Sequence, residues 1–116
     1  MSLNEWSEQI VIAETGEEPT FSEDMSSLMS IVDDAENGKR EMPDVIVNLG
    51  EVEYLNSSNI AQLLRLRKRL GAGGGKLRIC SVGDQVWGVI LVTGLDKLFD
   101  FHDNIATAIA SLQLDG

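Results

Sequence analysis

The hydrophobic residues of this chain fall into short segments with two different periods. Residues 9–13 are dominated by β-branched side chains, and Val45, Ile46 and Val47 follow one another directly within residues 44–49. Both segments are typical of β-strands, and the uninterrupted apolar run of the second indicates a central strand that is covered on both faces. Between them, apolar residues recur at helical spacing, namely Met25, Leu28, Met29, Val32 and Ala35. The first half is therefore predicted to run strand, helix, strand.

Capping and stop signals predict the two ends of that helix. Thr20 and Glu23 have the spacing of a capping box, directly after a turn at residues 16–19. Asn37 and Gly38 form a usual left-handed stop at the other end.

The second half of the chain repeats the alternation of helix and strand. Residues 56–59, Asn-Ser-Ser-Asn, are good N-cap residues, and the helix that follows is predicted to extend to Leu70. The remaining predicted elements are a strand at 76–82, a helix capped by Asp84 and ended by Gly94, a strand at 98–101, and a helix capped by Asp103 or Asn104. Such alternation predicts an α/β fold with a mostly parallel sheet and crossover helices.

Apolar residues that share the period of their element are expected to form the core. They are Val45, Val47, Leu49, Ile60, Leu63, Leu64, Leu77, Ile79, Val89, Ile90, Ile105 and Ile109. Arg67 falls inside the apolar stripe of the helix that follows residues 56–59. Either its stem lies along the protein surface, or the apolar face is narrower than the stripe.

Length and composition describe an ordinary globular chain. Its 116 residues fit one domain, predicted as residues 1–116, and 43% of them are hydrophobic. No apolar run approaches the ~20 residues that span a bilayer, and the N-terminus lacks the basic and apolar regions of a secretory signal. Cys80 is the only cysteine, so no intramolecular disulfide can form. These observations predict a cytoplasmic protein without membrane insertion.

The charge is strongly negative and unevenly distributed. A formal net charge of −10 argues against nucleic acid as the partner. Residues 1–53 hold 14 of the 19 acids, whereas six of the nine bases lie between Arg65 and Arg78. A protein partner could read this polarity through electrostatic complementarity. Two ordinary solvated faces are the alternative.

The sequence indicates no catalytic set, no metal site and no cofactor. His102 is the only histidine, Cys80 has no base nearby in sequence, and the acids are too scattered for a metal site. The glycine-rich segment 71–75 ends a helix and enters a strand, whereas a phosphate loop opens a helix and continues with Lys and Ser or Thr. We therefore expect neither an enzyme nor a nucleotide site.

Two hydroxyls, those of Ser57 and Ser58, lie where a loop gives way to a helix. Free backbone amides and the positive end of the helix dipole favour an anion there. A phosphoserine of about −1.5 to −2 charges would be stabilised at this position and would change the surface sharply. The alternative is that Ser57 is only the N-cap of the helix.

Residues 44–71 resemble the centre of the STAS domain family, which includes the anti-sigma factor antagonists and the cytoplasmic tails of sulphate transporters. The shared pattern is a hydrophobic strand, a short loop, a motif of the type Asp-Ser-Ser-Gly, and a helix that ends near a glycine-rich turn. Residues 15–17, 76–82 and 93–99 also look like the family.

The resemblance implies both a fold and a function. The fold would be a small mixed, mostly parallel sheet with helices packed on one side. The protein would bind an anti-sigma factor that is itself a serine kinase, and phosphorylation of the serine after the motif Asp would release it. That serine matches Ser57, with Ser58 as the alternative. The implied partner surface consists of Asn56, Ser57, Ser58 and Asn59.

The sequence departs from the family pattern close to this serine. Asn56 stands in place of the motif Asp, Asn59 in place of the motif Gly, and residues 16–19 end in Pro19 where many antagonists have an acid. We therefore expect two acids near the serine to be missing, and the side chain of Asn59 to lie where a kinase approaches. These departures favour a second function, an accessory STAS subunit of a signalling or lipid-transport complex without phosphorylation.

Overall fold

The computed structural model of the chain describes residues 2–114. In chain order its elements are β1 (Leu3–Glu5), β2 (Ile10–Glu14), α1 (Thr20–Glu36), β3 (Asp44–Asn48), α2 (Ser57–Ala72), β4 (Leu77–Cys80), α3 (Asp84–Thr93), a 3-10 helix (Leu95–Lys97), β5 (Asp100–His102) and α4 (Ile105–Leu114). The predicted alternation of strands and helices is confirmed, and β1 precedes it.

The strands form one sheet in the order β1-β2-β3-β4-β5. β1 pairs antiparallel with β2, and all the other neighbours are parallel. The predicted mixed, mostly parallel α/β fold is therefore confirmed. The hydrophobic pattern does not predict β1, because Asn4 and Glu5 are exposed on a strand at the edge of the sheet. An edge strand has only one neighbour and needs no apolar face to pair with it.

Helices cover both faces of the sheet. Alternate residues of a strand point to opposite faces. Val45 and Val47 accordingly join the larger core, which also contains residues of α1, α2 and α3, whereas Ile46 packs in a smaller core with Ala108 and Leu112 of α4. The implied packing on one side thus holds for three helices, and α4 covers the other face. β3 lies between the two layers, which explains its uninterrupted apolar run.

Most of the predicted core is confirmed, and the difference lies in how the helices are rotated. Val45, Val47, Leu49, Leu63, Leu77, Ile79 and Ile90 are buried, whereas Ile60, Leu64, Val89, Ile105 and Ile109 are half-buried. The buried residues of α2 are Asn59, Leu63, Leu66 and Leu70. Arg67 is exposed and is not among them. The second alternative therefore holds, and the apolar face of α2 is narrower than the apolar stripe in the sequence.

Among the predicted helix caps, Asn104 is confirmed and those at Thr20 and Asp84 are wrong. The side chain of Asn104 accepts a hydrogen bond of 2.9 Å from the first turn of α4. Thr20 and Asp84 are instead the first residues of α1 and α3, and Pro19 and Gly83 occupy the N-cap positions. The chain therefore turns into each of these two helices one residue earlier than predicted.

Local backbone conformation sets several other boundaries. Gly38 follows α1 with a φ of 79°, which is the predicted left-handed stop. Ser81 has a φ of 63°, and β4 therefore ends at Cys80, earlier than predicted. The 3-10 helix delays β5 until Asp100. None of the helices within residues 2–114 combines the length and the apolar character that crossing a bilayer requires.

Candidate functional site

The loop before α2 is anchored in the core and exposes one aromatic side chain. Three of its residues, Leu49, Val52 and Leu55, are buried. Tyr54, between them, is 65% exposed. The loop therefore fixes the start of α2 against the sheet while it presents an aromatic ring to solvent.

Asn56 and Asn59 close the first turn of α2 as a reciprocal capping box. The backbone amide of Asn59 donates to Oδ1 of Asn56 at 2.8 Å, and the backbone amide of Asn56 donates to Oδ1 of Asn59 at 3.1 Å. The usual box pairs Ser or Thr with Glu or Gln, and each Asn here supplies an equivalent acceptor oxygen. The N-cap is Asn56. The alternative that Ser57 serves only as the N-cap is therefore wrong.

Ser57 and Ser58 are the first two residues of α2, and both are exposed. The first amides of a helix have no partner within the helix. The capping box occupies those of Asn56 and Asn59, and within residues 2–114 the amides of Ser57 and Ser58 have no protein acceptor. Two exposed hydroxyls thus lie beside two free donors at the positive end of a helix, which is an arrangement that accommodates an anion.

The side chain of Asn59 points into the protein. Asn59 is 3% exposed, and its Nδ2 donates to Oε2 of Glu18 and to Oε1 of Gln62, each at 3.5 Å. The side chain that replaces the motif glycine is therefore directed into the protein and not towards solvent. The capping box holds its amide inward, and Ser57 remains exposed.

Glu18 brings a carboxylate to the start of α2. Its Oε1 accepts from the backbone amide of Ser22 at 2.8 Å and its Oε2 from the Ser22 hydroxyl at 2.6 Å. Both hydrogen bonds lower the pKa of Glu18, and the one from the Ser22 hydroxyl has the larger effect. Nε2 of Gln62 donates to the Ser22 hydroxyl at 3.2 Å and so links α2 to α1. The acids that the family pattern places at positions 56 and 19 are absent, and Glu18 supplies a different carboxylate that contacts Asn59.

The β2–α1 loop also contacts the loop before α2. The Glu17 carboxylate accepts hydrogen bonds from the backbone amides of Glu53 and Tyr54, the latter at 3.3 Å. With the exposed Glu51, these residues form an acidic rim, defined here as Glu17, Glu18, Glu51 and Glu53. Sequence reasoning missed the part that Glu17 and Glu18 play at the site. The signal was the pair of acids directly before Pro19, at the junction that the family pattern already marks.

The other candidate groups do not join this site. His102 ends β5, and Cys80 is buried in β4, where burial raises the pKa of its thiol. Among the described residues, no group of three or more His, Cys, Asp or Glu side chains could hold a metal ion. The start of α2 therefore offers exposed hydroxyls, free amides and an acidic rim, which are the elements of a contact surface.

Comparison with known proteins identifies relatives for most of the chain. The sequence model of a family described as the STAS domain matches residues 4–108. The anti-sigma F factor antagonist of Paenibacillus polymyxa is 24% identical over 76 residues, or 66% of this chain. The matched region spans 65% of that relative, slightly less than two thirds of its length.

Solved structures share the fold. An anti-sigma-factor antagonist (STAS) domain protein from Planctomyces limnophilus has a TM-score of 0.78 at 20% identity, with 96% of each chain covered. The Bacillus cell fate determinant SpoIIAA in its phosphorylated form has a TM-score of 0.69 at 14% identity, covering 95% of this chain and 96% of that chain. At these identities the likeness shows a common fold.

Proposed function

Because this chain belongs to the STAS domain family, we propose that it is a non-enzymatic regulatory protein of the anti-sigma factor antagonist type. It acts as one domain in the cytoplasm and binds a partner protein, an anti-sigma factor that is a serine kinase. The similarity to an anti-sigma F factor antagonist supports this proposal. The structural likeness to SpoIIAA supports the fold that the role requires.

The observation that carries the proposal is the exposed and rigid start of α2. Ser57 and Ser58 face solvent on a helix turn that the capping box closes. A surface that is already ordered loses little conformational freedom on binding. Tyr54 adds an exposed aromatic ring on the adjacent loop, and Tyr is enriched at protein interfaces. Asn56, Ser57 and Ser58 contact the partner in this proposal, and Asn59 supports them from below.

The acidic rim indicates the chemistry of the partner. Glu17, Glu51 and Glu53 are exposed beside the start of α2. Opposite charges across an interface speed association and exclude wrong partners. The partner therefore presents a basic surface around the pocket that receives Ser57.

The proposed switch is phosphorylation of Ser57, with Ser58 as the second choice. The serine oxygen attacks the γ-phosphorus of ATP bound to the kinase, ADP leaves, and the serine proton passes to the catalytic Asp of the kinase. The base belongs to the enzyme, so the absence of a carboxylate at Asn56 does not prevent transfer. The inward orientation of Asn59 leaves the acceptor hydroxyl accessible.

A phosphate on Ser57 would change both the charge and the shape of the surface. It would add about −1.5 to −2 charges and could accept hydrogen bonds from the free amides of Ser57 and Ser58. The same charge would repel the Glu18 carboxylate, which contacts Asn59 at 3.5 Å. Weakening of that contact would loosen the β2–α1 loop and release the partner.

The test is incubation with the cognate kinase and ATP, followed by peptide mass spectrometry. We expect phosphate on Ser57, and loss of that signal in Ser57→Ala. Ser26→Ala, at an exposed serine of α1, is the matched control and should leave the modification unchanged. If the kinase is active on another substrate and neither Ser57 nor Ser58 carries phosphate, the switch is wrong.

The neutral side chain at Asn56 favours a second candidate function. With no carboxylate next to Ser57 in sequence, the chain could serve as an accessory STAS subunit that is never phosphorylated. Co-purification from the native cell and intact-mass analysis distinguish the two. An associated kinase and a mass increase of one phosphate support the switch, whereas transporter subunits and an unmodified mass support the accessory role.

A further inference from the structure

A cavity lies at the opposite end of α2 from the start of the helix. Its volume is about 600 Å³, and it is bounded by the last two turns of α2, the glycine-rich segment, the start of β4 and the chain leading into β5. Small-molecule sites in proteins have volumes of roughly 300–1,000 Å³. The residues of α2 that line the cavity, from Leu64 to Gly71, lie roughly 10–21 Å along the helix from Ser57, so the cavity is distinct from the proposed partner surface.

Four basic residues converge on this cavity. They are Arg67, Lys68, Lys76 and Arg78, and Asp100 is the one acid among the residues that line it. The whole chain has only nine bases and a net charge of −10. Four of the nine bases therefore line a single concave surface, and Arg78 among them is paired with Asp100. The two exposed bases of α2 attract anions against the field of the rest of the molecule.

The basic residues that line the cavity differ in how firmly their side chains are held. Arg78 is 8% exposed, and it donates from Nε to the Ser111 hydroxyl at 3.0 Å and from Nη1 to Oδ2 of Asp100 at 3.1 Å. Its planar guanidinium is thereby held in one orientation on the face of the sheet that α4 covers, where it is paired with Asp100. Arg67 and Lys68 are exposed at the rim, and their long side chains can turn towards a ligand.

The same cavity has an apolar side. Leu64, Leu98 and Phe99 line it, and Leu98 is 44% exposed. A site that combines convergent cations with apolar surface suits a ligand with a charged head and an apolar body. Two adjacent bases beside one head group suit a phosphate dianion better than a single carboxylate. We propose that this cavity binds an organic phosphate, with the phosphate at Arg67 and Lys68 and the apolar body against Leu98 and Phe99.

The basic residues Arg67 and Lys68 are not explained by a role in stabilising the C-terminal end of α2. The amides of Gly73 and Gly75 already donate to the carbonyl oxygen of Leu70, at 3.0 and 2.8 Å. Arg69, the base in the last turn, forms ion pairs with Asp33 and Glu36 of α1 and turns away from the cavity. Arg67 and Lys68 are thus not needed as caps. The proposal differs from a phosphate loop, because side chains and not the amides of a helix start hold the anion.

The test is a titration of the ¹⁵N-labelled full chain, followed by amide chemical shifts in nuclear magnetic resonance spectra. The probes are phenyl phosphate, inorganic phosphate and phenol. We expect saturable shifts at the amides of residues 71–75 and of Phe99 with phenyl phosphate. Inorganic phosphate and phenol should each bind about tenfold more weakly, because each lacks one of the two interactions.

Two variants of equal charge change identify the site. Arg67→Gln combined with Lys68→Gln should weaken phenyl phosphate binding by about tenfold or more. Arg65→Gln combined with Lys39→Gln removes the same charge from exposed bases elsewhere and should change the affinity less than about twofold, since long-range effects are screened by salt. The absence of saturable shifts, equal weakening in both variants, or binding of phenol as tight as that of phenyl phosphate would overturn the proposal.

Discussion

The two ends of α2 are closed by different chemistry. At the start, the side chains of Asn56 and Asn59 satisfy each other's backbone amides. At the end, the backbone amides of Gly73 and Gly75 bond the carbonyl oxygen of Leu70. Acids surround the start and bases surround the end, and each is the sign of charge that the helix dipole favours at that position.

The two kinds of cap give the two ends of α2 different properties. A cap made of side chains leaves the next two residues, Ser57 and Ser58, exposed and available for contact or modification. A cap made of glycine amides lets the chain pass close to its neighbours, so that Gly75 lies against the carbonyl oxygen of Pro43. The first arrangement produces a surface, and the second helps to enclose a cavity.

The largest expected effect on stability comes from a substitution in the buried face of α2, which packs both ends of the helix against the protein. Leu66 is 1% exposed, and Leu66→Ala should lower the free energy of unfolding by about 2–5 kcal/mol. Leu64 is half-buried, so Leu64→Ala is the matched control with a smaller loss, below about 2 kcal/mol. Urea denaturation measures both. Equal losses would mean that the face of α2 is as broad as the sequence pattern suggests.

Next in size is a change confined to the end of α2. A Cβ at Gly75 would overlap the Pro43 carbonyl oxygen, whereas one at Gly71 meets nothing within 4 Å. We expect Gly75→Ala to cost about 1–3 kcal/mol of unfolding free energy. Gly71→Ala should instead stabilise the protein by up to about 1 kcal/mol, because Ala is the better helix former. Thermal denaturation of the two variants gives the sign of each change, and destabilisation by Gly71→Ala would contradict the position of Gly71 inside α2.

A change at the start of α2 should act on binding and not on folding. Ser57→Asp adds a negative charge at the exposed first residue of the helix, and we expect it to weaken partner binding about tenfold, or ~1.4 kcal/mol. Ser26→Asp makes the same charge change on the exposed side of α1 and should leave the affinity unchanged. Calorimetric titration measures both. Unaltered affinity in Ser57→Asp would move the interface elsewhere.

The smallest expected effect is the loss of the side-chain cap. Asn56→Ala should cost about 1 kcal/mol of unfolding free energy, and Asn56→Asp should cost less because it keeps the acceptor oxygen. Asn104→Ala, at the cap of α4, provides a reference of similar size. Phenyl phosphate binding at the far end of α2 should be the same in Asn56→Ala as in the parent chain. A parallel loss there would show that the two ends are coupled.

Local patterns were sufficient for most of the elements and for the start of α2. The run Val45, Ile46, Val47 predicts a strand covered on both faces, and that is where β3 lies. Asn37 with Gly38, and the four polar residues at 56–59, mark helix ends because their signals act within one turn of the backbone. The same short-range signals predict Ser57 and Ser58 at an exposed helix start.

Contacts between residues distant in sequence could not be read in this way. Glu18 meets Asn59 only because α1 and α2 pack side by side, and Arg78 meets Asp100 only because β4 and β5 are neighbours in the sheet. The choice of Leu66 over Leu64 likewise depends on the rotation of α2 against the sheet. Periodicity gives the spacing of a face but not its direction, and the direction follows from how the elements pack together.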